Sequence, residues 1–251
     1  AVPMLPLRAA GALDPDSAFV AGLALSLLAN GVTVAATAVA GVRATGSRTL
    51  SLVAAASIAA WPLLVGPIAG HSAWENGQWA VDTGLHLYTE PLSTALVAVA
   101  LCLLLAERPA PLPLATAGVL LSYATTVRLS NGLVAAAAVV LAWWRLGPGR
   151  TAPLLAGALA LMPVVGTYWD LGYVQVFDNP QSWPTRPFSV ENVVPGWADS
   201  LVFHPHTLAV IVPLAALGAW ALRQRPWPLL LLGLPMLVIA LPCATHLAAS
   251  M

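Results

Sequence analysis

The chain contains no lysine, and charged residues make up only 8% of its 251 residues. An average soluble domain carries about 25% charged residues. Ten arginines balance ten acids, so the net charge is zero and offers no surplus of either sign for nucleic acid or an acidic polymer. Hydrophobic residues reach 59% and the mean hydropathy is +0.83, which predicts an integral membrane protein.

Cysteine and the common catalytic motifs are also scarce. Cys102 and Cys243 both lie in apolar runs, where a thiol behaves as a small buried hydrophobe, so a disulfide framework is excluded. No glycine-rich phosphate loop, Walker motif or Ser-His-Asp order occurs. The pairs His71/His86 and His204/His206 lack zinc-ligand spacing, so no metal site is predicted.

Long apolar runs dominate what remains. Each is long enough, or nearly so, to cross about 30 Å of hydrocarbon as a helix. The sequence therefore predicts an all-α fold: a polytopic transmembrane helical bundle of about eight spans with outer-face loops, in a single domain over residues 1–251. The predicted spans are 17–42, 50–69, 91–106, 114–127, 131–144, 152–167, 205–222 and 228–247.

The arginines give these spans an orientation. Short cytoplasmic loops are enriched in cationic residues. With Arg43 and Arg48 placed in the cytoplasm, alternate crossing brings the later turns that contain Arg108, Arg145, Arg150, Arg223 and Arg225 to the same side. Arg128 and Arg186 are exceptions. Two polar, Trp-rich segments, 70–91 and 168–204, then share the outer face of a plasma membrane.

Glu90 and Arg128 are the sharpest candidates on that face. Glu90 precedes Pro91 at a helix start, where it either stabilises the helix dipole by about 0.3–1 kcal/mol or binds a sugar hydroxyl. Arg128 separates two short apolar runs. It is either a snorkelling interfacial side chain or a clamp for phosphate, because a guanidinium offers a planar fork of donors.

Other outer residues carry weaker indications. Asp82 is a loop acid, and His86 has the chemistry of a general base. Trp169 and Asp170 adjoin a predicted helix end. Tyr and Trp residues in such positions commonly form an interfacial belt, and they also stack on sugar faces. Most acidic residues in loops are simply exposed to solvent and have no catalytic role.

A longer pattern resembles a known family. Residues 88–92, Tyr-Thr-Glu-Pro-Leu, lead into an apolar helix, and a charged turn at Glu107 and Arg108 follows. Residues 117–133 then run from Ala-Gly-Val-Leu-Leu through Ala-Thr-Thr-Val-Arg to Asn-Gly-Leu. This order, with the later step at 201–214, resembles the middle of GT-C superfamily glycosyltransferases, including bacterial mannosyl- and arabinosyltransferases of the cell envelope.

The resemblance implies an inverting sugar transfer from a polyprenyl-phosphate donor to a glycan, lipid or protein acceptor. It implies catalytic roles for Glu90, Asp82 and His86, and substrate binding by Arg128, Asn131, Tyr88, Asp170 and Trp169. The main catalytic aspartate of the family is expected upstream of Ala1, in which case the chain is a fragment. Some members use a divalent cation, which nothing here demands. A transporter or permease, or a non-catalytic membrane subunit, is the alternative.

Overall fold

The computed structural model describes residues 15–60, 90–127, 131–161, 205–235 and 237. Within these ranges the chain forms eight α-helices and no strand. The all-helical prediction is confirmed for this part of the chain. The helices are α1 Pro15–Thr45, α2 Arg48–Ala59, α3 Glu90–Leu104, α4 Pro111–Val127, α5 Asn131–Leu146, α6 Pro148–Ala160, α7 Pro205–Leu222 and α8 Pro226–Pro235.

The turn between α1 and α2 shows how little chain separates neighbouring helices. Gly46 has φ = 74°, a left-handed conformation that favours glycine because it has no Cβ. Ser47 then caps α2: its Oγ accepts a hydrogen bond of 3.3 Å from the backbone N–H of Leu50. These two residues reverse the chain, and α2 packs back along α1.

Two helices begin earlier than predicted because proline suits a first helical turn. We expected Pro111 and Pro113 to break the chain, yet both lie inside the first turn of α4, where a missing N–H costs nothing. The predicted start of the sixth span at residue 152 is also wrong. Gly147, with φ = 78°, connects α5 to α6 by itself, and Pro148 starts α6 instead of residue 152.

The helices are not packed in simple chain order. Helix α3 packs between α1 and α4, while α4 packs against α6 as well as α5. Glycines let α4 and α6 approach closely: a Cβ on Gly118 would meet the backbone of Leu154 and Ala158, and one on Gly157 would meet Ala115. Such small-residue contacts are typical of helix pairs in membranes, where close packing replaces hydrophobic burial.

The buried core joins seven of the described helices, all except α2. The fully buried larger side chains include Leu104 of α3, Leu121 of α4, Val134 of α5, Leu154 of α6 and Leu231 of α8. Buried alanines of α3, α4 and α5 fill the space between them. Cys102 is buried as well, as expected for a small apolar side chain.

One described helix is both long and apolar enough to cross a membrane, namely Val20–Thr45 within α1, and only 22% of its apolar window is buried in the bundle. Among the residues whose side chains are described, the remaining apolar helical segments are 10–17 residues long. Helix α1 thus supports membrane association. The predicted count of eight membrane spans is not confirmed, because the other described helices do not meet the same criteria of length and hydropathy.

Candidate functional site

The bundle has two chemically different ends. At one end lie the turns that follow α1, α3, α5 and α7, and side chains from these turns contact each other's backbone. Arg43 donates a hydrogen bond of 2.5 Å to the Cys102 carbonyl, and Arg225 donates one of 3.0 Å to the Ala44 carbonyl. We call this the arginine end, and the other the opposite end. The predicted common face of the arginine turns matches these contacts.

An aromatic side chain strengthens the arginine end. The Trp227 indole N–H donates to the Leu104 carbonyl at 3.3 Å, which joins the start of α8 to the end of α3. The guanidinium of Arg145 stacks on the Trp227 ring, 4.4 Å from its centroid, and donates to the Glu107 carbonyl at 3.3 Å. Cation–π contact and hydrogen bonding together hold the end of α5 against the α3–α4 turn.

Burial also affects the pKa of Arg145, which follows the predicted fifth span. Desolvation lowers the pKa of its guanidinium, and the charge of Glu107 opposes this shift. An arginine pKa starts so far above neutrality that the side chain remains cationic. One guanidinium nitrogen, Nη1, is buried without a hydrogen-bond partner among the described residues.

The opposite end contains the helix termini on which the candidate site was predicted. Helix α3 begins at Glu90, α4 ends at Val127 directly before Arg128, and α5 begins at Asn131. Because α3 and α5 run toward the arginine end and α4 runs away from it, these three termini lie at the same end of adjoining helices. The prediction that Glu90 starts a helix is confirmed.

Asn131 is the predicted site residue whose side-chain contacts are described. It is 7% exposed, and its Nδ2 donates a hydrogen bond of 3.1 Å to the carbonyl of Ala124. That carbonyl belongs to the last turn of α4, where a helix leaves its carbonyls without intrahelical partners. Asn131 therefore fixes the corner between α4 and α5. Its role in substrate binding stays a prediction.

Buried polar side chains accompany these termini. Ser93 lies in the first turn of α3, and Ser122 lies near the end of α4; both are buried. Thr125 and Thr126 bond to carbonyls of their own helix at 2.9 and 2.7 Å. On α1, Ser26 and Asn30 fall on one helical face in the half of the helix away from the arginine end. The halves of α3 and α4 that lie toward the opposite end are thus more polar than their other halves.

The other predicted site residues lie outside the described residues: Asp82, His86, Tyr88, Arg128, Trp169 and Asp170. The polar segments 70–91 and 168–204 fall there too, apart from the start of α3. Among the described residues no group of three or more His, Cys, Asp or Glu side chains is arranged to hold a metal ion.

Reasoning from the sequence missed the contacts that tie the arginine end together. The arginine pattern predicted a shared face, but it predicted no contact between these side chains and the helix ends. Arginine side chains near a helix C-terminus often donate hydrogen bonds to the last carbonyls of a helix. The arginines close to predicted helix ends could therefore have suggested these hydrogen bonds. The buried serines of α3 and α4 were also not singled out, although hydroxyls in an apolar helix near its end mark a polar boundary.

Comparisons with protein-family models, curated proteins and solved structures match nothing to this chain.

Proposed function

We propose that this chain forms the membrane domain, or part of it, of a multi-pass glycosyltransferase. The enzyme transfers a sugar from a polyprenyl-phosphate donor to a glycan, lipid or protein acceptor on the outer face of the plasma membrane. The observation that carries this proposal is the division of the bundle: the arginine turns gather at one end, while Glu90, Asn131 and the terminus before Arg128 share the other.

Exposed apolar side chains support the membrane environment. Leu28 of α1 is 66% exposed, Leu52 of α2 is 65% exposed and Leu217 of α7 is 62% exposed. Monomeric soluble proteins rarely display apolar side chains of this size on several helices at once. In a bilayer these faces contact acyl chains instead of water.

The positions of two exposed tryptophans indicate where one surface of that bilayer lies. Trp144, in the last turn of α5, is 69% exposed, and Trp220, in the last turn of α7, is 65% exposed. Both precede arginine-bearing turns. Trp is enriched where the hydrocarbon meets the headgroups, and arginine is enriched in cytoplasmic loops. This arrangement supports a cytoplasmic arginine end and an outer opposite end.

The chemistry assigned to the opposite end needs few groups. A carboxylate base in an outer loop removes the proton of the acceptor hydroxyl, and the oxygen attacks the anomeric carbon from the side opposite the phosphate. The bond from that carbon to the phosphate oxygen breaks, and polyprenyl phosphate leaves with the electron pair. The new glycosidic bond has inverted configuration. General-base assistance contributes about 10²–10⁴-fold.

Arg128 has the role of holding the phosphate as its negative charge grows. A fixed cationic donor in a water-poor site stabilises such charge strongly. Glu90 and Tyr88 then position the donor sugar, and Asn131 holds the α4–α5 corner that carries Arg128. Asp82, His86, Trp169 and Asp170 contribute to acceptor binding.

The test uses the full-length protein reconstituted in liposomes with a radiolabelled polyprenyl-phosphate sugar. Arg128→Ala should abolish transfer, by about 10²-fold or more, because the leaving phosphate loses its cation. Arg48→Ala is the matched control, since it removes the same charge at the arginine end and should transfer at the wild-type rate. Equal turnover by Arg128→Ala and wild type, with both variants folded, would remove the phosphate assignment.

A further inference from the structure

The arginine end is strongly charged. The described turns and helix ends there contain one acid, Glu107, and seven arginines, namely Arg43, Arg48, Arg108, Arg145, Arg150, Arg223 and Arg225. A surface with this imbalance attracts anions. The question is which of these guanidinium groups are already occupied by the protein.

Four of the arginines donate hydrogen bonds to backbone carbonyls. Arg43 and Arg225 bond to Cys102 and Ala44, Arg145 bonds to Glu107, and Arg223 bonds to Trp220 of its own helix at 2.9 Å. Each bond satisfies a carbonyl at or just beyond a helix C-terminus. These four side chains therefore serve the fold itself.

The other three are Arg48, Arg108 and Arg150, and all are exposed. Within the described residues, none of the three makes a hydrogen bond or an ion pair. Arg48 and Arg150 lie in the first turns of α2 and α6, where the helix dipole disfavours a cation. Stabilisation of the bundle therefore does not explain their presence.

Arg108 and Arg150 adjoin the starts of two helices that pack against each other, α4 and α6. Arg108 lies three residues before α4, and Arg150 is the third residue of α6. Helices α4 and α6 are the pair that approach at Gly118 and Gly157, so their starts lie at the same end of a tightly packed unit. Arg48 starts α2, which packs against α1 instead.

We propose that Arg108 and Arg150 together bind the phosphate of an anionic phospholipid headgroup at the start of α4 and α6. A guanidinium presents a planar fork of donors to phosphate oxygens, and basic pockets between membrane helices bind anionic headgroups on the cytoplasmic side. This inference rests on the membrane placement in the proposed function, and it is independent of the sugar transfer.

Native mass spectrometry of the full-length protein, titrated with phosphatidylglycerol, tests the site. Arg108→Gln and Arg150→Gln should each weaken binding about fivefold, and the double variant about 30-fold, because each arginine near an anionic surface contributes a similar share. The double Lys variant, Arg108→Lys with Arg150→Lys, should restore most of the affinity. Arg48→Gln, a matched loss of charge at the same end, should change it less than twofold.

Three results would overturn the site. Equal weakening by Arg48→Gln would mean that the whole charged end attracts lipid without a defined site. Equal affinity for phosphatidylcholine would remove the preference for anionic lipid. Displacement of bound phosphatidylglycerol by millimolar inorganic phosphate would assign the two arginines to free phosphate. Sugar transfer measured on the same preparations separates a failure here from a failure of the proposed enzyme activity.

Discussion

Arg225 donates a 3.0 Å hydrogen bond to the carbonyl of Ala44, a residue 181 positions earlier in the chain. Ala44 lies in the last turn of α1, where carbonyls lack intrahelical partners. The bond therefore satisfies an otherwise unpaired acceptor and links the α7–α8 turn to α1. Helix α7 makes few other contacts with α1, so this single side chain is a main connection between the last described helices and the first.

Removing that connection should cost stability. Arg225→Gln should lower the free energy of unfolding by about 1 kcal/mol, since Gln is too short to reach the Ala44 carbonyl. Unfolding in mixed micelles, followed by circular dichroism, measures the change. Arg48→Gln removes an exposed arginine with no bond among the described residues, and it should leave the unfolding midpoint where it is. Equal effects of the two variants would contradict a specific role for Arg225.

Trp227 allows its hydrogen bond and its ring to be separated. Trp227→Phe loses the N–H that bonds to Leu104 but keeps an aromatic face beneath Arg145. We expect a loss of about 1 kcal/mol in unfolding free energy. Trp220→Phe is the control, because the Trp220 ring also lies beneath an arginine, Arg223, at 4.2 Å and is largely exposed. An equal or larger effect at Trp220 would contradict a specific contribution from the Trp227 indole hydrogen bond.

The glycine contact between α4 and α6 should tolerate no side chain. A Cβ on Gly118 would lie 2.7 Å from the backbone nitrogen of Ala158, and a backbone cannot rotate away as a side chain can. Gly118→Ala should therefore destabilise the protein by about 1–3 kcal/mol. Gly31→Ala in α1 meets nothing within 4 Å, so it should be neutral or gain up to about 1 kcal/mol from helix propensity. Only the Gly118→Ala unfolding curve should move toward lower stability, and an equal loss of stability in the two variants would contradict the close approach.

Asn131 makes a structural contact that does not depend on any role in substrate binding. Asn131→Ala leaves the buried Ala124 carbonyl without its donor, so unfolding should become easier by about 1–3 kcal/mol. Thr125→Ala, which removes a hydroxyl bonded within α4, should cost less. Measured in the presence of a polyprenyl-phosphate sugar, the Asn131 variant separates the two roles. A raised KM with unchanged stability would assign Asn131 to the substrate instead of the corner.

Thiol labelling in intact cells tests the placement of the two ends. The background variant carries Cys102→Ala and Cys243→Ala. Gln224→Cys and Gly149→Cys at the arginine end should react with a membrane-impermeant maleimide only after permeabilisation, whereas Ser130→Cys, between α4 and α5, should react in intact cells. In the proposed topology one crossing, α5, separates Ser130 from Gly149, and three crossings, α5 to α7, separate Ser130 from Gln224. An odd number of crossings places both arginine-end positions on the side of the membrane opposite Ser130. Labelling of all three positions from the same side would contradict that topology.

The sequence predicted helices well where local chemistry decides them. Helix α7 begins and ends where the apolar run predicted, and α5 begins at Asn131 as expected. The starts of α4 and α6 were misplaced because proline was taken as a break, although a first turn accepts it. The helix boundary at Glu90 followed from the Thr-Glu-Pro order, which is a local signal.

Packing between distant helices could not be predicted in the same way. The contact of Gly118 with α6 depends on α4 bypassing its chain neighbour α5, and no local pattern encodes that choice. The pairing of Arg225 with Ala44 likewise depends on which turns meet in three dimensions. For the candidate site, the shared end of Glu90 and Asn131 followed from counting crossings, whereas the hydrogen bond that occupies Asn131 needed the fold of the α4–α5 corner.

The close approach of α4 and α6 at Gly118 and Gly157 also has a consequence for biosynthesis. When α4 leaves the ribosome, its packing partner α6 has not yet been made, and α5 must be completed first. The glycine face of α4 therefore stays without its packing partner until about 30 more residues have been synthesised. At 5–20 residues per second this takes roughly 2–6 s. During that interval the glycine face of α4 lacks the partner that α6 later provides.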